Sequence, residues 1–169
     1  MSLYWALSLE DACEKQILES AVPGIFLALQ LHKKDVKGLE TRMKKRCSNI
    51  LVVRACFMAL TSIASCGEAA CAKILNPSST EKKVNGLMVF VTVVKEQASD
   101  KQGMEEFVLL IDEMIQENSI KGTESVINNS FKTISLEQMK KCSALKAELK
   151  KIQTYHKNIE KLPEIIAAL

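Results

Sequence analysis

With 169 residues, 47% apolar and 25% charged, the chain has the size of one domain with a true core and is too apolar for a disordered segment. Only six glycines, three prolines and 5% aromatics stand against abundant Leu, Ala, Ile, Lys and Glu, which points to helices rather than turn-rich sheets. The net charge of +3, from 23 basic and 20 acidic residues, excludes a nucleic-acid binder that works through its overall field.

Ser8 followed by Asp11 resembles an N-cap with an acid in the first turn. Leu9, Cys13 and Ile17 then recur at four-residue spacing, which predicts a helix from Leu9 to Ala21. Pro23 interrupts it and suits the first turn of a second helix carrying Ile25, Phe26, Leu27, Leu29 and Leu31. The steepest local charge excess follows: Lys33, Lys34, Lys37, Arg42, Lys44, Lys45 and Arg46 against Asp35 and Glu40. Its plainest reading is a solvated face; its functional reading is a site for an anionic surface such as acidic lipid headgroups. No aromatic residue is interleaved with it, which argues against a platform for single-stranded nucleic acid.

Ile50 to Leu75 is the most apolar stretch. Only the 13 residues from Ala55 to Gly67 are free of charge, short of the ~20 that cross a bilayer. Val53, Phe57, Leu60, Ile63, Ala64, Gly67, Cys71 and Ile74 share one face at helical period, so a single central helix is expected. Arg54 interrupts its apolar surroundings and must reach solvent or meet a carboxylate. Asn76-Pro77 ends that helix, and Ser78 with Glu81 is a capping box for the next. Val84, Leu87, Met88, Val91, Val94 and Ala98 keep helical spacing. Leu87 to Val94 is also rich in β-branched residues after Asn85-Gly86, so helix and strand both stay open there.

Ser99 and Gln102 repeat the capping-box pattern before Met104, Phe107, Val108, Ile111, Met114 and Ile115, an amphipathic helix with acids on its outer side. A turn is expected at 118–123 and a short helix around Val126, Ile127 and Phe131. Ser135 with Gln138 then opens a long C-terminal helix over 136–162, ~39 Å at 1.5 Å per residue. Leu145, Leu149, Ile152 and Ile159 form a seam on it, flanked by Lys146 and Lys150, as in a coiled coil, before Pro163.

Catalytic chemistry finds little here. His32 and His156 are the only histidines, and no Cys-x-x-Cys pair, Gly-rich phosphate loop, nucleophile elbow or Glu-x-x-His motif is present. No metal or cofactor is expected, and no motif diagnostic of a helical family is found. The six cysteines fall largely in helix interiors, where disulfide geometry is out of reach within one helix. Residues 1–9 have no basic n-region and no long apolar run. A cytoplasmic protein with free thiols is therefore expected.

These readings combine into an all-α bundle of about six helices, residues 1–169 as one domain, with a coiled-coil-like C-terminal helix. The expected function is a non-enzymatic interaction module, an adaptor or assembly subunit. It would bind a protein partner or a second copy through Leu145, Leu149, Ile152, Ile159, Lys146 and Lys150. The alternative is a membrane-active, lipid-binding or pore-forming bundle that draws on the apolar segments 50–75 and 84–94 and the basic stretch 33–46. Thiol titration after denaturation without reductant should count all six cysteines; a count of zero would instead place the chain among secreted, disulfide-bonded proteins.

Overall fold

A computed structural model describes residues 11–33, 40–77, 84–120 and 136–169. The side chains of 11–15, 40–48 and 117–120 lie outside that description. The described residues form helices and no strand. They are α1 (Asp11–His32), α2 (Glu40–Ala64), α3 (Glu68–Leu75), α4 (Gly86–Gln97), α5 (Lys101–Ile120), α6 (Ser143–Tyr155) and α7 (Leu162–Ala168). A short helical segment at 136–141 precedes α6.

Four phenylalanines from four helices build the centre. Phe57 of α2 meets Phe107 of α5 at 5.3 Å and Phe90 of α4 at 6.3 Å between ring centroids. Phe90 also meets Phe26 of α1 at 5.3 Å and Phe107 at 5.8 Å. All four rings are buried. Such tilted and edge-on pairs add about 0.5–1.5 kcal/mol each beyond the area they remove from water. The buried cluster extends from here through every helix to Leu162 and Ile165 of α7. Around it α1 runs back along α2, with His32 at the end of one helix bonded to Asn49 in the other. α5 lies on the opposite flank of α2 and runs with it, so that Arg54 faces Asp100 while Phe57 faces Phe107. α6 packs on α4, and α7 on α6 and α5.

Several sequence expectations change. α1 continues through Pro23, which lies inside it. A helix-interior proline costs about 3 kcal/mol, but Val22 before it and Phe26 and Leu29 after it are buried on one face. The burial on both sides keeps a single helix. The expected central helix over 50–75 is two helices. Gly67 has φ 115°, in the left-handed region that favours glycine, and Cys66 and Gly67 donate their N–H groups to Ile63 and Ala64 carbonyls in a tightened last turn. α3 thus turns back, and the Cys71 thiol donates to the Ala64 carbonyl across the corner.

Residues 86–97 are helix, not strand. Asn85 accepts the Met88 N–H as N-cap, and a Cβ on Gly86 would stand 2.2 Å from the Ile74 carbonyl oxygen, so only glycine lets α4 start against the end of α3. The cap of α5 is Asp100 rather than Ser99: its Oδ2 accepts the Gly103 N–H at 3.1 Å, and Ser99 is exposed. Residues 118–120, expected in a turn, belong to α5. The expected capping boxes at Ser78 and Ser135 and the helix around Val126, Ile127 and Phe131 fall on residues 78–83 and 121–135, outside the described residues.

The C-terminal segment is not one long helix over 136–162. It breaks at Cys142 and again after Tyr155, where His156 leaves helical geometry and its ring Nε2 donates to the Ala98 carbonyl at the end of α4, 2.8 Å away. Pro163 lies in the first turn of α7 and so starts a new helix rather than kinking an old one. The heptad seam is accordingly shared between α6, the 156–161 turn and α7, and no described helix carries it over its full length.

Leu60 of α2, Ile111 of α5 and Leu149 of α6 are fully buried. Replacing Leu60 or Ile111 by alanine should lower stability by about 2–5 kcal/mol. Leu149→Glu should abolish cooperative unfolding, because it places a charge where no partner stands. Circular dichroism melts check both; unchanged midpoints would mean that these faces are not core.

Candidate interaction surface

α1, α2 and α5 lie side by side with α2 in the middle, and each turns its phenylalanine toward α4. Among the described residues, each of the three also leaves apolar side chains exposed. On α2, Leu51, Ala55, Met58 and Ser62 succeed one another at spacings of four and three and stand roughly 100–160° around the helix from Phe57. All four are exposed, Leu51 by 61% and Met58 by 52%. On α1, Leu27 and Leu31 are 58% and 69% exposed, and on α5 Leu109 is 44% exposed. These are the largest aliphatic side chains that the described parts of the three helices leave in water. Glu105, Glu106, Asp112 and Glu113, each partly exposed, stand within one turn of Leu109.

Charge pins the same layer from within. The Arg54 guanidinium grips Asp100 with two nitrogens, Nε at 2.8 Å from Oδ2 and Nη2 on Oδ1, while Nη1 donates to Gln102 Oε1 at 2.6 Å. The hydrogen bonds it donates to Asp100 and that carboxylate's charge, with a further contribution from Glu106, hold the guanidinium above its ordinary pKa against partial desolvation. Arg54 therefore meets the carboxylate its position demands, and Asp100 caps α5 and ties it to α2 at once. Past the middle of α5, Lys161 pairs with Asp112, whose Oδ2 also accepts Gln116 Nε2 at 2.7 Å.

The residues expected to bind partners divide by side. Leu145, Leu149, Ile152 and Ile159 are all buried in the chain's own core. Lys146 is half-buried and Lys150 exposed. Of the basic stretch, Lys33 is half-buried and its carbonyl accepts Gln97 Nε2 at 3.2 Å beside a shallow pocket of about 370 Å³ lined also by Gln30, Met88 and Thr92. Lys34 and Lys37 lie outside the described residues. Arg42, Lys44, Lys45 and Arg46 stand in the first turns of α2, with side chains outside the description. Both histidines hold helices together: His32 Nδ1 donates to Asn49 Oδ1 at 2.8 Å, and His156 ties α6 to α4.

Sequence reasoning missed these exposed side chains. Its signal was there: Leu27 and Leu31 repeat at four-residue spacing away from Val22, Phe26 and Leu29, and a helix apolar on nearly all sides, as α2 is from Ile50 onward, needs cover on nearly all sides. Comparison with protein-family models, curated proteins and solved structures finds no match to this chain.

Cys56 is buried in α2, and desolvation pushes its thiol from the ordinary 9.0 up to about 11. The folded state therefore holds this proton more tightly than the unfolded chain. Its contribution to stability is complete below pH 9 and is lost as the pH rises toward 11. Alkylation at pH 8 read by peptide mass spectrometry should label the half-buried Cys66 and Cys142 well before Cys56. Unfolding midpoints should fall across that alkaline window less steeply in Cys56→Ala; equal slopes would remove Cys56 as the cause.

Proposed function

We propose that the chain is a non-enzymatic protein–protein interaction module, an adaptor or assembly subunit, acting through the exposed apolar side chains of α1, α2 and α5. The observation that carries this reading is the exposure of Leu27, Leu31, Leu51, Met58 and Leu109 on three adjacent helices. Isolated surface leucines need no explanation, but several on adjacent, well-held helices offer apolar area to another molecule. In this reading the whole chain acts as one domain, supported by a buried cluster to which every helix contributes. The C-terminal helices take part through the outward Lys146 and Lys150, while their leucine seam holds them to the bundle. A reducing compartment such as the cytoplasm suits the free thiols of Cys56, Cys66, Cys71 and Cys142.

The membrane-active alternative asks more of the molecule. Its apolar segments spend Phe57, Leu60, Ile63, Phe90 and Val93 in the core, so they reach lipid only if the bundle opens. No helix among the described residues is long and apolar enough to cross a membrane.

The test is a quantitative pull-down from cell extract with wild type, Met58→Glu and Lys150→Glu, each checked for native helicity. Proteins held by the wild type should be lost with Met58→Glu, and Lys150→Glu reports on the C-terminal surface. An identical retained set for all three would sink the proposal.

A further inference from the structure

Pro23 divides α1 into two parts that are held to the bundle in different ways. Among the described residues, every ring contact and hydrogen bond that ties this helix to another lies after the proline. The Phe26 ring meets Phe90 at 5.3 Å, His32 Nδ1 donates to Asn49 Oδ1 at 2.8 Å, and the Lys33 carbonyl, just past the helix end, accepts Gln97 Nε2 at 3.2 Å. Before the proline, no side chain from Gln16 to Val22 makes a hydrogen bond, ion pair or ring contact with another helix. Ser20 Oγ donates to the Gln16 carbonyl at 2.7 Å, a bond within α1 of the kind that bends a helix and weakens it slightly. What holds this part down is apolar. Val22 is buried and Ile17 and Leu18 are half-buried against the core, while Gln16, Glu19 and Ser20 are exposed.

The proline is unfavourable only while the helix is continuous. It has no N–H to give the Glu19 carbonyl, and in a helix interior it weakens the helix, relative to alanine, by a factor on the order of a hundred in the equilibrium constant. In the first turn of a helix the same residue carries no such penalty, because that N–H has no partner there in any case. Pro23 is thus a poor residue inside a closed α1 and a good first residue for a helix that starts at 23. We propose that the part of α1 before Pro23 is an arm that opens from the bundle while the helix from Pro23 to His32 and the rest of the core stay folded. The open form keeps the Phe26–Phe90 contact and the hydrogen bonds at the far end of α1, and of the described side chains it takes only Ile17, Leu18, Ala21 and Val22 off their neighbours. Since α1 runs back along α2 from the His32–Asn49 contact, the arm departs from the later turns of α2. Apolar surface beneath it then meets solvent without global unfolding, so the arm controls access to that surface. The device does not depend on the interaction reading above.

Hydrogen exchange of the full chain, read by mass spectrometry, decides it by comparing the amides of 16–22 with those of 27–32, which keep their helical acceptors when the arm is open. Relative to their rates in an unfolded peptide, the amides of 16–22 should exchange at least about tenfold faster in the wild type. Pro23→Ala gives the Glu19 carbonyl its donor, and exchange over 16–22 should slow by up to on the order of a hundredfold. Ile111→Ala separates arm opening from global unfolding. It weakens the core on α5, which flanks α2 on the side away from α1, so it should lower the unfolding midpoint and leave exchange over 16–22 unchanged. Equal protection on the two sides of Pro23 overturns the arm, as does a Pro23→Ala variant whose 16–22 amides exchange at the wild-type rate. Exchange over 16–22 that speeds up in Ile111→Ala also overturns it, since those amides would then open only with the whole fold.

Discussion

Phe57 touches Phe90 and Phe107, and Phe90 touches Phe26, so helices drawn from residue 26 to residue 107 depend on one set of rings. A ring in such a cluster cannot be shifted without disturbing its neighbours, since interiors pack at crystal density. The cluster therefore fixes how α1, α2 and α5 rotate about their own axes. Once Phe26, Phe57 and Phe107 point inward at α4, Leu31, Met58 and Leu109 must point outward. Their exposure is in this sense a consequence of the core: the same rotation that buries the rings exposes the leucines.

Polar contacts then decide register where apolar packing alone leaves freedom. Arg54 and Asp100 hold the start of α5 to the middle of α2, and Asp100 could not cap α5 and accept from Arg54 if either helix slid by a turn. His32 with Asn49 sets α1 against α2, Gln97 with the Lys33 carbonyl sets the end of α4 against the end of α1, and His156 with the Ala98 carbonyl sets α6 against α4. Each pairs a partly buried polar group whose unpaired state would be costly, so they act against alternative packings more than they add net stability. Two of them use the carbonyls of Lys33 and Ala98 just past the ends of α1 and α4, where backbone acceptors lack partners within the helix.

Much of the helical content was legible because apolar residues at three- and four-residue spacing survive any tertiary arrangement. The faces of Phe57, Leu60 and Ile63, and of Phe107, Ile111 and Met114, follow from that spacing alone. The breaks were less legible. The corner at Gly67 depends on a single positive φ and on carbonyls accepting from Cys66 and Gly67, while a periodic pattern runs straight through it into Cys71 and Ile74. Pro23 misleads in the other direction, since a local rule favours a break and burial on both sides overrides it. The C-terminal helix ends where the His156 ring finds a carbonyl 58 residues earlier in the chain, a contact no local pattern announces. The seam of Leu145, Leu149 and Ile152 was correctly apolar, yet periodicity says only that a face is covered and not whether the cover is the same chain.

That ambiguity runs in reverse for Leu27 and Leu31, which read as part of a generally apolar run until the position of α4 assigns one side to the core. The distinction matters physically because binding is weakened by whatever must be ordered to achieve it. Here nothing large needs ordering. Leu51, Ala55 and Met58 project from the middle of α2, which is held on one flank by α1, on the other by α5 and beneath by the phenylalanine rings. The backbone that carries these side chains is therefore fixed by the core, whatever meets them. The seam on α6 has the opposite character: its leucines are part of the chain's own core, so exposing them to a partner would first require breaking the contact with α4. Leu51 and Met58, by contrast, stand on a helix whose packing does not depend on their being covered.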